Sequence, residues 1–152
     1  MHPTLKAAYE TALSWGDGDP SLMVAAFTII LEAEAVFALK YLGRWLRCPK
    51  FQRINARICK DEARHLAFGR IYLKQQFEGL GAKKRIQAYR RLRGLWQDTA
   101  FGMADHFWFP NFLLRRRCRS WVETGWQDHR NILISIGLVD INEARQIDGT
   151  PP

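Results

Sequence analysis

The segment from Val24 to Leu42 is almost wholly apolar, and its only charged residues are Glu32, Glu34 and Lys40. It reads as the middle of a long helix that Cys48-Pro49 interrupts, because the residue before a proline is pushed out of helical backbone. The rest of the chain divides in the same way. A short helix spans Thr4 to Ser14. Gly16-Asp17-Gly18-Asp19-Pro20 is a turn in which Asp19 caps and Pro20 enters the first helical turn, and the apolar helix then runs to about Leu46. Further helices are expected over about Lys50 to Phe77, Lys83 to Phe107, Asn111 to Ile136 and Ile141 to Gln146, punctuated by Gly79-Leu80-Gly81, Pro110 and Gly137, with a frayed Gly-Thr-Pro-Pro tail. No stretch has the period of a strand, and no internal repeat or low-complexity tract is present. The fold class is therefore all-α. At 152 residues the chain can bury about two-thirds of its unfolded surface, enough for one compact domain over 1–152.

The chemistry concentrates in Lys60-Asp61-Glu62-Ala63-Arg64-His65-Leu66-Ala67-Phe68-Gly69. Glu62 and His65 stand at i and i+3, so they share one helical face and can reach one metal ion from adjacent turns. That is the Glu-x-x-His half of a carboxylate-bridged dimetal site. Ile54, Ile58 and Gly69 continue the face, which places the pair in an inward, mostly apolar stripe where ionisable groups are costly unless something binds them. An isolated Glu-x-x-His is more often a surface salt bridge; the two acids about thirty residues upstream change that, because one of them can complete the half-site.

Asp61-Glu62-Ala63-Arg64-His65 followed by Leu66-Ala67-Phe68-Gly69 resembles the second Glu-x-x-His helix of the ferritin-like superfamily. Its similarity is to the branches of ribonucleotide-reductase-small-subunit-like and aldehyde-deformylating or N-oxygenating di-iron proteins. Ile29-Ile30-Leu31-Glu32-Ala33-Glu34-Ala35 is similar to the helix that gives such sites their single glutamate, and Pro49 opens the next helix. The resemblance covers about residues 20 to 75. It implies a ferritin-like helical bundle with the metal half-site on a helix pair over 20–77. The implied ligands are Glu62, His65 and either Glu32, which its apolar flank favours, or Glu34, which has Tyr41 two turns on. The two acids lie about 200° apart around a helix and so face different surroundings. By the same resemblance Asp61 orients a ligand histidine on a facing helix and Arg64 pairs with a carboxylate; their ordinary alternative is solvated charge.

A complete site of this type takes a glutamate and a Glu-x-x-His from each of two helix pairs, and this sequence holds one such set. Only a short helix precedes residue 20. Three completions stay open: a twofold homodimer, a heteromer whose other chain carries the missing half, or unorthodox donors among Asp98, Asp105, His106, Glu123, Asp128 and His129. The two histidines in that group read more readily as cap or surface residues.

The net charge is +8 and the isoelectric point about 9.8, with basic runs at Lys83-Lys84-Arg85, Arg90-Arg91-Leu92-Arg93 and Arg115-Arg116-Arg117-Cys118-Arg119. These runs and the aromatics Trp96, Phe101, Phe107, Trp108, Phe109, Phe112, Trp121 and Trp126 make 83–147 a basic, aromatic-rich C-terminal region. Basic aromatic helices can hold phosphate backbones. No nucleic-acid-binding motif accompanies them here, so they read as solvated faces, core and, at Phe107-Trp108-Phe109-Pro110, a subunit interface. Cys48, Cys59 and Cys118 are odd in number, lack paired metal spacing and read as free thiols in a reducing compartment. The start, Met1-His2-Pro3-Thr4, does not resemble a secretory signal, and no twenty-residue run is free of charge, so a cytoplasmic location without membrane is expected.

The expectation is thus an O2-activating oxidase or oxygenase with a di-iron or manganese–iron cofactor, acting on a small organic substrate, its dimetal site completed by a second chain. The alternatives are a non-catalytic ferritin-like subunit and, less favoured, a helical nucleic-acid binder.

Overall fold

The computed structural model describes residues 2–107 and 112–149, with the side chains of all of these except Tyr41, Trp45, 105–107 and 112–119. Among the described residues every regular element is helical: α1 (Pro3–Ser14), α2 (Pro20–Ala25), a π-helical segment (Ala26–Leu31), α3 (Glu32–Trp45), α4 (Pro49–Glu78), α5 (Ala82–Phe107), α6 (Phe112–Ser135) and α7 (Ile141–Gly149). The chain is all-α.

Local chemistry sets the ends. Asp19 Oδ1 accepts the Leu22 amide at 2.9 Å and Pro20 fills the first helical position, as the Asp-Pro pair predicts. Gly137 adopts φ +77° and ends α6, with the Leu138 amide reaching back to the Leu133 carbonyl at 3.0 Å. That conformation is open to glycine at little cost. Asp140 and Glu143 cap α7 reciprocally: Asp140 Oδ1 accepts the Glu143 amide at 2.8 Å, and the Asp140 amide donates to Glu143 Oε2 at 2.9 Å.

The π segment divides what sequence periodicity predicts as one α-helix. Its side chains Ala26, Thr28, Ile29, Ile30 and Leu31 are buried among α1, α2, α4, α5 and α6. A π turn re-phases the residues that follow it, and Glu32 is the first of them.

The core is built by Leu22, Ile29, Ile30, Leu73, Phe77, Tyr89, Leu92, Trp96, Leu133 and Leu138, with Trp126 at its edge. Trp96 is set by two contacts: its Nε1 donates to the Val122 carbonyl at 2.8 Å, and Gly125 leaves room for its ring, which would lie 2.6 Å from a Cβ there. Trp96 and Trp126 thus belong to the core, whereas Trp121 stays exposed. Phe107-Trp108-Phe109-Pro110, expected at an interface, and Phe112 lie outside the described side chains, as does the tail beyond Gly149.

Helix α4 packs against α2, the π segment and α3. Two small residues bring the pair close. A Cβ on Gly69 would stand 2.4 Å from Thr28 Cγ2, and one on Gly43 would stand 2.5 Å from Asn55 Nδ2, which donates to the Leu39 carbonyl at 2.8 Å. Close approach at Gly43 and at Gly69 brackets the stretch that carries Glu32 and Glu62.

Candidate metal half-site

Glu32 on α3 and Glu62 and His65 on α4 come together. The Glu32 carboxyl is raised above its ordinary value of 4.5, first by burial and then by the negative charge of Glu62, with His65 pulling the other way. His65 Nδ1 lies 3.5 Å from Glu62 Oε2. Among the described residues the Glu32 carboxylate has no hydrogen bond or ion pair, so two carboxylates share one field that the His65 imidazole offsets in part. A cation would relieve it, and two carboxylates with an imidazole suit iron and manganese alike.

The raised value has a consequence for stability. Below about 4.5 the folded and unfolded chains both hold the Glu32 proton, and as pH rises the unfolded chain loses it first, so this group's contribution to stability falls through the elevated value. Glu32→Gln is therefore expected to raise the melting temperature of the metal-free protein at neutral pH and to leave it unchanged near pH 4. Thermal denaturation in chelator at the two pH values checks this. A lower melting temperature at neutral pH would contradict the electrostatic assignment.

Glu34 points elsewhere. Its Oε1 lies 3.1 Å from Nε2 of His129 on α6, an electrostatic approach rather than an aligned hydrogen bond. His129 is 3% exposed in its side chain and packs edge-on to Trp96, ring centroids 4.7 Å apart. The expectation of a surface or capping role for His129 is corrected: the apolar faces of Trp96 and Trp126 enclose it. A lone histidine in a basic, aromatic helix carries no sequence signal for that position. Tyr41, expected beside Glu34, and Asp105, His106 and Cys118 lie outside the described side chains. Asp98, Glu123 and Asp128 are exposed on α5 and α6.

The inward stripe expected for the Glu-x-x-His face is also corrected. It divides in two. Glu62, Leu66, Gly69 and Leu73 turn towards α3 and the π segment, while Ile54, Ile58, His65 and Phe68 turn outward. The His65 side chain is 69% exposed against 34% for Glu62. Residues three apart share a helical face only within about 60°, and the boundary of burial falls inside that angle.

Asp61 accepts from Arg64 Nη1 at 3.1 Å, a solvated i,i+3 pair on α4. Cys48 and Cys59 are free; Cys59 Sγ donates to Asn55 Oδ1 at 3.8 Å. Among the described residues no three His, Cys, Asp or Glu side chains gather as tightly as the shell of one metal ion. The donor chemistry fits a carboxylate-bridged metal pair and the number of donors is half of what such a pair takes.

The basic runs are partly engaged within the chain. Arg85 reaches the Gly137 and Leu138 carbonyls and Glu143, and Arg93 donates to the Ile147 and Asp148 carbonyls. Arg91 lies 4.5 Å over the Trp15 ring. Two clefts, one beside Arg93, Trp126 and Arg130 and one between α1 and α5, lie away from Glu32, Glu62 and His65. The stretch Pro20–Arg44 is long and apolar enough to cross a membrane by length and composition, and parts of it pack in the core described above. Comparison of the chain with protein-family models, with characterised proteins and with solved structures returned no match.

Proposed function

We propose that the chain is half of a ferritin-like bundle and contributes Glu32, Glu62 and His65 to a di-iron or manganese–iron centre, completed by a second chain, that oxidises or oxygenates a small organic substrate with O2. One observation carries the reading: a half-buried carboxyl, a second carboxyl and an imidazole act on one another from two helices, and the half-buried carboxyl has no hydrogen bond or ion pair among the described residues. The π segment immediately before Glu32 adds to it, since such turns recur at functional sites and have no role in a uniform helix.

In this reading Glu32 and Glu62 hold metal through carboxylate oxygens and His65 through an imidazole nitrogen. The bound metals would supply electrons for reductive activation of O2. Partial burial of Glu32 strengthens its hold on a cation, because its charge loses part of its hydration. Ile54, Ile58 and Phe68, once covered, would keep water from the site. Asp61 and Arg64 position the helix surface around His65. A cytoplasmic setting accords with Cys48 and Cys59 as free thiols.

The second reading, a subunit that keeps the helix pair as scaffold only, is favoured by the exposure of His65 and by the lack of a gathered three-donor cluster among the described residues. Loading with Fe(II) under argon, followed by O2, separates the two. The proposal predicts O2 uptake in stoichiometric proportion to iron bound, with an absorbance change in the near ultraviolet. Iron that oxidises no faster than in buffer alone contradicts it and supports the scaffold.

A further inference from the structure

The outward stripe of α4 has a pattern of its own. Ile54, Ile58, Asp61, His65, Phe68 and Tyr72 alternate at spacings of four and three, the seam of a coiled coil. Ile54, Ile58 and Phe68 are exposed large apolar residues, Phe68 at 73%, while Tyr72 at the end of the stripe is half-buried and packs in part against the chain's own core. Apolar seams of this length are not left in water by chance. Helix α4 has its neighbours on the other flank, in α2, the π segment and α3.

The seam is complementary to itself when reversed about Ala63. Laid antiparallel on a second α4 with a twofold axis at that position, Ile54 meets the partner's Tyr72, Ile58 meets the partner's Phe68, and Asp61 meets the partner's His65. Each layer is apolar against apolar except the central one, which sets an acid against an imidazole. Such a twofold contact makes each pairing twice. We infer that the α4 seam is the docking surface for a second copy of this chain, crossing antiparallel at Ala63 so that Glu62 and His65 of each copy lie close to the twofold axis.

The flanks agree with the same register. Glu62 lies beside the seam and comes opposite the partner's Glu62, so the Glu62 and His65 positions of both copies lie within one helical turn of the axis. On the other flank Arg64 comes opposite the partner's Arg64, a repulsion reduced by the 3.1 Å contact each makes to its own Asp61. A heterologous partner would have no reason to require a sequence that mirrors itself about one residue. This inference builds on the half-site reading in naming the chain that closes the site, and its test runs without metal.

Cys48, Cys59 and Cys118 are replaced by serine, and Ile58→Cys and Phe68→Cys are made separately in that background, with circular dichroism confirming helix content. The two proteins are oxidised alone and mixed, in chelator. The expected result is a covalent dimer only in the mixture. In the antiparallel register two Ile58→Cys positions lie about 15 Å apart along the helix, far beyond the Cβ separation of about 4 Å that a disulfide spans. Dimers formed by each variant alone, or none in the mixture while light scattering of the unaltered protein gives a monomer, overturn the proposal. Cross-linking in the mixture with no metal taken up by the dimer would uphold the docking surface and remove the metal reading. Metal held by a monomer would do the reverse.

Discussion

His65→Ala is expected to lower the affinity for Fe(II) or Mn(II) by more than about 100-fold, beyond the 10–100-fold typical of losing a residue that merely supports a ligand. Its melting temperature in chelator should move by little. The His65 side chain is 69% exposed, and its contact to Glu62 at 3.5 Å is a surface pair of the kind that contributes at most about 1 kcal/mol. A structural histidine behaves in the opposite way, and His129 is the internal control: it is enclosed by Trp96 and Trp126 and faces Glu34, so removing it opens a cavity and strands a carboxylate. Equilibrium dialysis with Mn(II) and thermal denaturation in chelator, run on both variants, give the four numbers needed. Unchanged Mn(II) retention in His65→Ala would remove this residue from the site.

The largest loss of stability is expected from Asp148→Ala. The Asp148 carboxylate accepts from Tyr89 Oη at 3.1 Å and from Trp126 Nε1 at 3.1 Å, and lies 3.5 Å from both Arg93 and Arg130. Its side chain is 16% exposed. It ties α7 to α5 and α6, and the Tyr89 hydroxyl is held well above its usual value by burial and then by this negative charge. Alanine would leave a buried phenol, an indole N–H and two guanidinium groups facing an apolar gap. Removing one partner of such a network costs about 3–5 kcal/mol, and for a chain of this length that lowers the melting temperature by about 6–20 °C. Asp148→Asn keeps an acceptor for Tyr89 and Trp126 and should recover part of the loss. Denaturation curves that differ by less than about 1 kcal/mol between the native chain and Asp148→Ala would contradict this account of how α7 is held.

Much of this architecture is legible in the residues because local signals and burial agree. Asp19-Pro20, Cys48-Pro49, Gly79 and Gly137 mark helix boundaries through backbone chemistry that needs no tertiary partner, and the structure puts helix ends at or within two residues of each. The π segment is not legible, since no residue type in Ala26–Leu31 selects it, although the structure seats it in the core with Thr28 close against Gly69. The same holds for the two acids of the apolar helix. Their separation of about 200° says that they face different surroundings, and only packing shows that Glu32 faces Glu62 while Glu34 faces His129. The Asp148 network escaped a sequence reading for a related reason. A lone aspartate near the C-terminal end of a short helix has the appearance of solvated charge until Arg93, Arg130, Tyr89 and Trp126 converge on it from helices far away in sequence. Burial of the whole Glu-x-x-His face does not follow from the sequence, because a periodic apolar stripe does not say whether its cover comes from the same chain.

Under the proposed function one chain brings half of a dimetal centre and two chains make the whole. The most direct test is the metal content of protein expressed alone, reconstituted anaerobically with iron and manganese, passed through light scattering to fix its mass, and measured by elemental mass spectrometry. One ion per chain is expected in a particle of two chains, lost from both Glu62→Ala and His65→Ala. Metal-free protein, or metal that survives both substitutions, would contradict it.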